Sequence, residues 1–295
     1  MTTRILTAPR PGPVALSVDL PAGDIRVITD PSRTLAEVTV TAHGDDVAVH
    51  DAVRDAVLRW HEGTGNLTVR VNPPAGGTGT VIGNHAVISG IVNVGGRVTV
   101  NGVEITGCGA MVVGGHVRIT ALVPEGTSVT ASTRSASLEC AGEFAEVDFT
   151  STSGDLTAGG VGALRVKTTS GDVSAAVVDG AAAAASVSGD IYLGRTDDVT
   201  ASTTSGDVTV NDFAGRAEVA SVSGDVRVRA AEGGAITARS VSGNVTVTAT
   251  GAALAEGLTV NATSQTGRVT TPTDTPPPAV TASRSRWPRR TNGGA

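Results

Sequence analysis

Five aspartates recur at a nearly constant spacing in the second half of the chain, each within a Ser-Gly-Asp triplet. They are Asp155, Asp172, Asp190, Asp207 and Asp225. Carboxylates stacked about 4.8 Å apart repel one another, and a divalent cation with a preference for oxygen ligands relieves such repulsion. These aspartates are therefore candidate calcium ligands.

A structural interpretation of the same triplets is favoured over calcium binding. Glycine supplies positive φ in tight turns, and Ser and Asp side chains bond to local backbone. Each triplet offers one carboxylate, whereas calcium-binding solenoids use a denser motif. Asn244 replaces Asp in a sixth copy, and Asn serves a turn equally well. We predict no metal and a structural turn role for Gly154, Gly171, Gly189, Gly206, Gly224 and Gly243.

Few residues of the sequence are candidates for enzyme catalysis. A polysaccharide lyase or hydrolase needs clustered carboxylates and an aromatic or basic sugar platform. Arg195, Arg227 and Arg229 lie near the aspartates in sequence, but surface ion pairs explain them. The five histidines form no metal-binding pair, and Cys108 and Cys140 form no CxxC motif. We therefore predict no catalytic residue and no cofactor.

Composition excludes several other function classes. The 295 residues carry a net charge of −6, and only 2% are aromatic. An acidic chain is a poor ligand for nucleic-acid phosphates, and scarce aromatics provide no base-stacking platform. The sequence shows no signal-peptide pattern and no long apolar run, so we expect a cytoplasmic protein without a membrane span. A surface role would require an export route that the sequence does not reveal.

The elements that position the triplets follow from an internal repeat. The triplet glycines recur at nearly constant intervals, with degraded copies at Ser135–Ser137 and Thr266–Arg268. Aliphatic residues alternate on both sides of each glycine, which is typical of strands with one buried face. The pattern predicts an all-β fold, a β-solenoid (single-stranded β-helix) of about eight coils with about 17–18 residues each, over residues 129–271.

A column of hydroxyl residues lies three positions before the glycines. By alternation it points inward, where each hydroxyl can bond to its neighbour or to a nearby carbonyl. Its members are Ser151, Thr168, Ser186, Thr203, Ser221 and Ser240. The interval that follows Gly243 is longer than the others, which predicts a loop insertion near Gly251–Gly257.

The rest of the chain divides into three segments. Residues 1–13 form an N-terminal arm, and residues 14–128 a β-rich capping region with one short helix near 46–60, where Val49, Val53, Val57 and Trp60 have helical spacing. Within it, 76–109 fits either hairpins or extra coils. Residues 272–295 are rich in Pro and Arg, and we expect them to be disordered.

The strand around Asp24, the Val117–Gly126 segment and the iterated Ser-Gly-Asp-Val turns resemble the bacterial putative-adhesin family of unknown function. The resemblance covers about residues 14–271 and implies a β-helical fold without established catalytic residues. We expect a non-enzymatic, adhesin-like or scaffold protein that binds an unknown protein or glycan along its rod faces. A polysaccharide-acting β-helix enzyme is the alternative. Nucleic acid is not expected as a partner, and self-association stays open.

Overall fold

The structure is a computed structural model that describes residues 2–73, 81–82, 85–86, 97–100, 103–106 and 115–272. Its N-terminal strands and helix are β1 (Thr3–Thr7), β2 (Ala15–Leu20), β3 (Asp24–Thr29), β4 (Glu37–His43), α1 (Val47–Arg54), β5 (Val57–His61), β6 (Asn66–Arg70), β7 (Val81–Ile82), β8 (His85–Ala86), β9 (Arg97–Val100), β10 (Val103–Thr106) and β11 (His116–Val123). The repeat region contains β12 (Ser128–Thr133), β13 (Ser137–Thr150), β14 (Leu156–Lys167), β15 (Val173–Ala185), β16 (Ile191–Thr203), β17 (Val208–Ser221), β18 (Val226–Ser240), β19 (Val245–Ala249), α2 (Gly251–Ala255), β20 (Thr259–Ser264) and β21 (Val269–Thr270).

The repeat region is a stack of parallel coils, which confirms the predicted solenoid. Each strand from β13 to β17 pairs in parallel with the next one, and the pairing keeps the predicted register. Leu156 pairs with Val173, and Val173 pairs with Ile191. The fixed period therefore arises because equivalent residues of successive coils stand directly above one another.

Each long strand has two parts that serve different faces of the rod. The leading segment follows a Ser-Gly-Asp triplet, as in Leu156–Val161, and the trailing segment precedes the next one, as in Leu164–Lys167. Leading segments pair with leading segments and trailing segments with trailing segments. The alternating aliphatic residues of both segments are buried between the two faces, so that the core is thin and built mostly from Val, Ala, Ile and Leu.

The rod begins earlier in the chain than residue 129. β2 pairs in parallel with β12, and β3 pairs in parallel with the leading part of β13. The connection between β2 and β3 contains Gly23, whose position corresponds to that of the triplet glycines. Residues 15–29 thus form a coil of the rod, although the sequence placed them in the capping region.

Antiparallel strands and a helix cover this end of the rod. β4 pairs antiparallel with both β1 and β11, and β5 pairs antiparallel with β6. β1 lies in the segment interpreted as an arm, where no strand was predicted. α1 starts at the N-cap Asp46 and ends at Arg54, well before Trp60. The predicted helix was too long because Val57 and Trp60 belong to β5, where pairing with β6 outweighs their helical spacing.

The described residues answer one question that the sequence left open, and they contain one insertion that it predicted. Within 76–109, β7 pairs antiparallel with β8 and β9 with β10, so the described parts of this segment are hairpins. The insertion predicted near Gly251–Gly257 is present and contains α2, which is capped by Thr250. Neither helix in the described part of the chain is long and apolar enough to cross a membrane.

Candidate functional site: the Ser-Gly-Asp edge and its groove

The triplets connect successive strands along one edge of the rod, which we call the bend edge. The backbones of successive triplets approach so closely there that a Cβ on a triplet glycine would clash. A Cβ on Gly189 would lie 1.9 Å from the carbonyl oxygen of Gly171, and one on Gly171 would lie 2.0 Å from that of Gly154. The triplet glycines are absent from the residues with positive φ. The expected reason for glycine was therefore wrong, and close stacking of the bends replaces it.

The inward hydroxyls lie on the buried side that the alternation predicted, and they hold the bends together. Ser186 Oγ accepts a hydrogen bond from the Gly189 N–H at 2.8 Å, and Ser151 does the same for Gly154 at 2.7 Å. Ser221 Oγ donates to the carbonyl of Gly206, one coil back, at 3.0 Å. These hydroxyls are almost fully buried. The column thus satisfies backbone groups that would otherwise be orphaned in the core.

The aspartates form a ladder of hydrogen bonds to the backbone of successive coils. Asp172 Oδ1 accepts the N–H of Asp190 at 2.9 Å, and Asp190 Oδ1 accepts the N–H of Asp207 at 2.8 Å. The ladder continues through Asp225 to Asn244, whose side-chain oxygen accepts the N–H of Arg268 at 3.0 Å. One oxygen of each of these side chains therefore accepts a hydrogen bond from the backbone of the next coil.

The candidate calcium ligands therefore lie together on one edge, but each carboxylate already has a structural partner. Within the described ranges, no group of three or more His, Cys, Asp and Glu side chains is placed to hold a metal ion. The sequence signal for the ladder is Asn244, because an amide oxygen can accept the same backbone hydrogen bond as a carboxylate oxygen.

One arginine on the bend edge joins two rungs of the ladder. Arg227 contacts Asp207 at 2.8 Å and Asp225 at 2.7 Å. Partial burial alone would raise the pKa of Asp207, but the hydrogen bonds from Arg227 and from the Asp225 N–H outweigh it and hold that pKa below its usual value. Arg227 thus acts as a surface ion-pair partner, as the sequence suggested.

A groove of about 500 Å³ runs along the rod beside the bend edge. Its polar lining includes Ser202, Thr204, Arg239, Thr263 and Gln265, and its apolar lining includes Ala220, Val222 and Val241. These positions lie four and two residues before the glycines of four successive coils. At about 4.8 Å per coil the groove extends roughly 15–20 Å parallel to the rod.

Sequence analysis missed an exposed column, of which Thr204, Val222 and Val241 form one wall of this groove. It lies two residues before each triplet glycine and is made of Thr152, Thr169, Val187, Thr204, Val222 and Val241. Val187 and Val222 are each 47% exposed and Val241 is 39% exposed. The available signal was that all six residues are β-branched, although they face solvent.

A second groove, of about 680 Å³, lies on the leading face near the start of the rod. It is lined by charged residues that largely pair with each other. Arg26 contacts Glu139 at 3.3 Å, and Arg118 contacts Asp24 at 3.4 Å. Because these charges are mutually satisfied, this groove offers a ligand less than the first one does.

The remaining sequence candidates are dispersed. Burial raises the pKa of the Cys140 thiol to about 12, with a smaller contribution from Glu139, so it is not a nucleophile at neutral pH. Cys108 lies outside the described residues. His43 stacks on His116 with ring centroids 5.0 Å apart, at the capped end and away from the triplets. Tyr192 is 44% exposed and its hydroxyl accepts a hydrogen bond from Asn211.

Known proteins with similar structures share little sequence with this chain. A "putative adhesin" from Bacteroides fragilis is 14% identical, with a TM-score of 0.40, over 91% of this chain and 94% of that chain. One from Parabacteroides merdae is 8% identical, with a TM-score of 0.37, over 92% and 96%. A "putative cell adhesion protein" from Clostridium sporogenes is 12% identical, with a TM-score of 0.29, over 92% and 98%.

No curated protein matches the chain. A family model does match, over residues 15–292, and so includes the early coil, the capping strands other than β1, every Ser-Gly-Asp triplet and part of the tail. This extent agrees with a rod that starts at β2. The chain belongs to the Toastrack DUF4097 family.

Proposed function

We propose that the chain is a non-enzymatic binding rod, with an adhesin-like or scaffold role, that holds a partner in the groove beside the bend edge. The ligand that this groove suits best is an extended segment of another protein. The exposed valines of the groove wall are the observation on which the proposal depends.

Two exposed valines stand at the same repeat position in adjacent coils of the groove. A single exposed valine is ordinary, but Val222 and Val241 occupy the same position in adjacent coils, with Val187 two coils further back. Ala220 and the hydroxyls of Ser202 and Thr263 line the same groove. An apolar stripe with hydroxyls beside it can accept both the side chains and the backbone of a ligand.

A protein segment is favoured over a glycan by the absence of aromatic rings. Sugar platforms commonly use an aromatic face, and no aromatic residue lines this groove within the described chain. A groove of roughly 15–20 Å accommodates about five residues of extended peptide. Arg239 and Gln265 supply donors for the peptide carbonyls. A glycan ligand is the other outcome of the test below.

The alternative of a polysaccharide-acting enzyme is less well supported, because Asp24 and Glu139 of the second groove are paired with arginines. Asp172, Asp190 and Asp207 each use one oxygen to hold the next coil, and Arg227 pairs with two rungs of the ladder. A catalytic acid needs a perturbed pKa and a cleft around the scissile bond. The lining of the groove beside the bend edge contains no carboxylate within the described residues.

The test compares binding by three forms of the full chain on peptide and glycan arrays. Val222→Glu/Val241→Glu places two charges in the groove, while Thr152→Glu makes the same kind of change at the same repeat position outside it. We expect the double variant to lose peptide binding by at least about tenfold, and Thr152→Glu to bind like the wild type. Equal binding by all three forms would contradict the proposal. Loss of glycan binding in the double variant would place a glycan in the groove instead.

Location distinguishes the adhesin-like role from the scaffold role. Intact cells that carry the tagged chain are treated with protease and then fractionated. Cleavage on intact cells is expected for an adhesin-like rod, and protection in the soluble fraction is expected for a scaffold. The first result directs the partner search to surface proteins, and the second directs it to the cell interior.

A further inference from the structure

The leading segments together form one face of the rod, the leading face, and a tyrosine is exposed on it. Tyr192 is 44% exposed and occupies an outward position of β16, where it is paired with Ser174 on one side and Thr209 on the other. Among the described residues of the repeat region, the other aromatic side chains are buried in the core: Phe144, Phe149 and Phe213. Tyr192 is therefore the aromatic residue whose position core packing does not explain.

The ring of Tyr192 lies along the leading face. Its hydroxyl accepts a hydrogen bond from Asn211 Nδ2 at 3.0 Å, whereas the residue paired with Tyr192 in the next coil is Thr209, two residues earlier. The ring therefore extends one coil across and two residues along the strand. It extends toward Gly194, a residue at an outward position that is nevertheless buried. The hydrogen bond thus fixes one ring face toward the sheet and leaves the other face toward solvent.

Polar groups that suit a ligand rich in hydroxyls stand on the next two coils. Arg229 follows Asn211 in the same outward column, one coil further on, and it contacts Asp212 at 2.7 Å. Both side chains of this ion pair are about half exposed. The amide and the ion pair together present donors and acceptors side by side, without net charge.

The backbone at Asp212 has an unusual conformation. Its φ is 46°, and it is the one residue other than glycine with positive φ in the described part of the chain. Such conformations cost free energy and are concentrated at functional sites. At this residue the conformation accompanies a carboxylate that is held against Arg229 of the next coil.

We propose that this part of the leading face binds an uncharged saccharide. One sugar ring stacks its C–H groups on the open face of Tyr192, because the face of an aromatic ring carries partial negative charge. The sugar hydroxyls exchange hydrogen bonds with Asn211 and with the pair of Asp212 and Arg229. Two coil steps of about 4.8 Å separate Tyr192 from Arg229, so the site spans roughly 10 Å and takes a short stretch of a glycan.

A saccharide fits these residues better than the other ligands of aromatic side chains. Proline-rich peptides dock in grooves lined by aromatic residues, and quaternary ammonium groups are held in aromatic cages. A single ring on a sheet face forms neither. An acidic sugar is disfavoured, because Asp190 and Asp207 of the ladder lie beside Tyr192 on the same face.

The saccharide site is separate from the groove of the proposed function. That groove is lined by trailing-segment residues such as Ser202 and Arg239, whereas Tyr192 lies in a leading segment. The two sites can therefore be lost independently of each other.

Fluorine NMR of the full chain tests the proposal, because Tyr192 is the single tyrosine of the sequence. When 3-fluorotyrosine replaces tyrosine, the fluorine signal comes from this ring alone. The labelled chain is titrated with neutral oligosaccharides of glucose, galactose, mannose and N-acetylglucosamine. We expect at least one of them to shift the signal in a saturable way.

Calorimetric titration of three variants with the same oligosaccharide locates the binding. Tyr192→Ala removes the stacking surface, and we expect the affinity to fall at least about tenfold. Thr157→Ala is the matched control, because it changes the same outward repeat position two coils away, and it should bind like the wild type. Val222→Glu/Val241→Glu, which alters only the groove, should also bind the oligosaccharide like the wild type.

Three results would overturn the proposal. A fluorine signal that no oligosaccharide shifts would mean that the leading face is not a saccharide site. Equal affinity in Tyr192→Ala and in the wild type would mean that the ring does not contact the sugar. Loss of oligosaccharide binding in Val222→Glu/Val241→Glu, with Tyr192→Ala unaffected, would place the sugar in the groove.

Discussion

The chain turns at two edges of the rod, and it turns in a different way at each. At the bend edge most coils use a Ser-Gly-Asp triplet, and the backbones of successive bends lie in close contact. At the other edge, which we call the bulged edge, the long strands shift register, for example between Val178 and Ala181 and between Thr196 and Asp198. Positive φ occurs at the bulged edge, at Gly142, Gly215 and Asp212, and not at the triplet glycines. The chain therefore turns by one repeated bend at the bend edge and by irregular bulges at the bulged edge.

Glycine replacement should reveal the largest difference between the edges. In Gly189→Ala, the new Cβ meets a backbone carbonyl of the neighbouring coil at 1.9 Å, which cannot move without shifting the stack. We expect a loss of about 3 kcal/mol in the free energy of unfolding. In Gly160→Ala, at the bulged edge, the nearest atom is Glu143 Cγ at 3.3 Å, and a side chain can rotate away. We expect a change within about 0.5 kcal/mol there.

Urea unfolding of both glycine variants measures these changes. Similar losses of unfolding free energy in Gly189→Ala and Gly160→Ala would break the comparison between the two edges. The close contact of the bends would then not make the bend edge more sensitive than the bulged edge.

Removal of a buried hydroxyl should lower the free energy of unfolding at the bend edge and raise it at the bulged edge. Ser186→Ala leaves the buried N–H of Gly189 without its acceptor, and we expect a loss of about 1–2 kcal/mol. At the bulged edge, Thr196 Oγ1 is buried and has no hydrogen-bond partner among the described residues. Thr196→Val keeps the shape and removes that polar group, and we expect a gain of about 1 kcal/mol. Destabilisation by both replacements, seen as lower urea midpoints, would refute the assignment of roles.

Removal of an ion pair on the bend edge should have the smallest effect on the free energy of unfolding. This effect should depend on pH. Arg227→Gln removes a pairing whose members are partly exposed, so we expect a loss of at most about 1 kcal/mol at pH 7. The pKa of Asp207 is lowered in the folded state, so its contribution is present above the unfolded pKa of about 3.9 and is lost as the pH falls below it.

The urea midpoints of wild type and Arg227→Gln should therefore differ at pH 7 and converge as the pH falls through the lowered folded-state pKa of Asp207. Arg165→Gln is the control, because Arg165 reaches Asp148 only at 4.0 Å. A difference for Arg227→Gln that persists unchanged at low pH would show that the side chain acts through packing instead.

The sequence predicted the parts of the fold that depend on the repeat. The inward columns and the insertion near Gly251 followed from spacing alone, because stacked coils require equivalent residues at equivalent positions. The early coil was missed because Pro21-Ala22-Gly23 shares only its glycine and the following Asp24 with the triplets. Its inward residues Leu16, Val18, Ile25 and Val27 nevertheless obey the same register, so this signal was available.

Other features could not be predicted from single-residue patterns. Helical spacing at Val57 and Trp60 suggested a longer helix, but pairing with a separate strand, β6, decided their structure. The role of the glycines depends on the distance between two coils, which no local pattern contains. The groove likewise arises only when exposed positions of separate coils come together.

The most direct test of the central claim is thermal unfolding with and without calcium. The claim is that the aspartates act as acceptors for the neighbouring backbone. The variant replaces Asp155, Asp172 and Asp190, which do not pair with Arg227, by Asn. Because the Asn side-chain oxygen can accept the same N–H groups, as Asn244 does for Arg268, we expect midpoints within about 2 °C of the wild type and no effect of calcium on either protein. A calcium-dependent rise in the wild-type midpoint that the variant lacks would contradict the account.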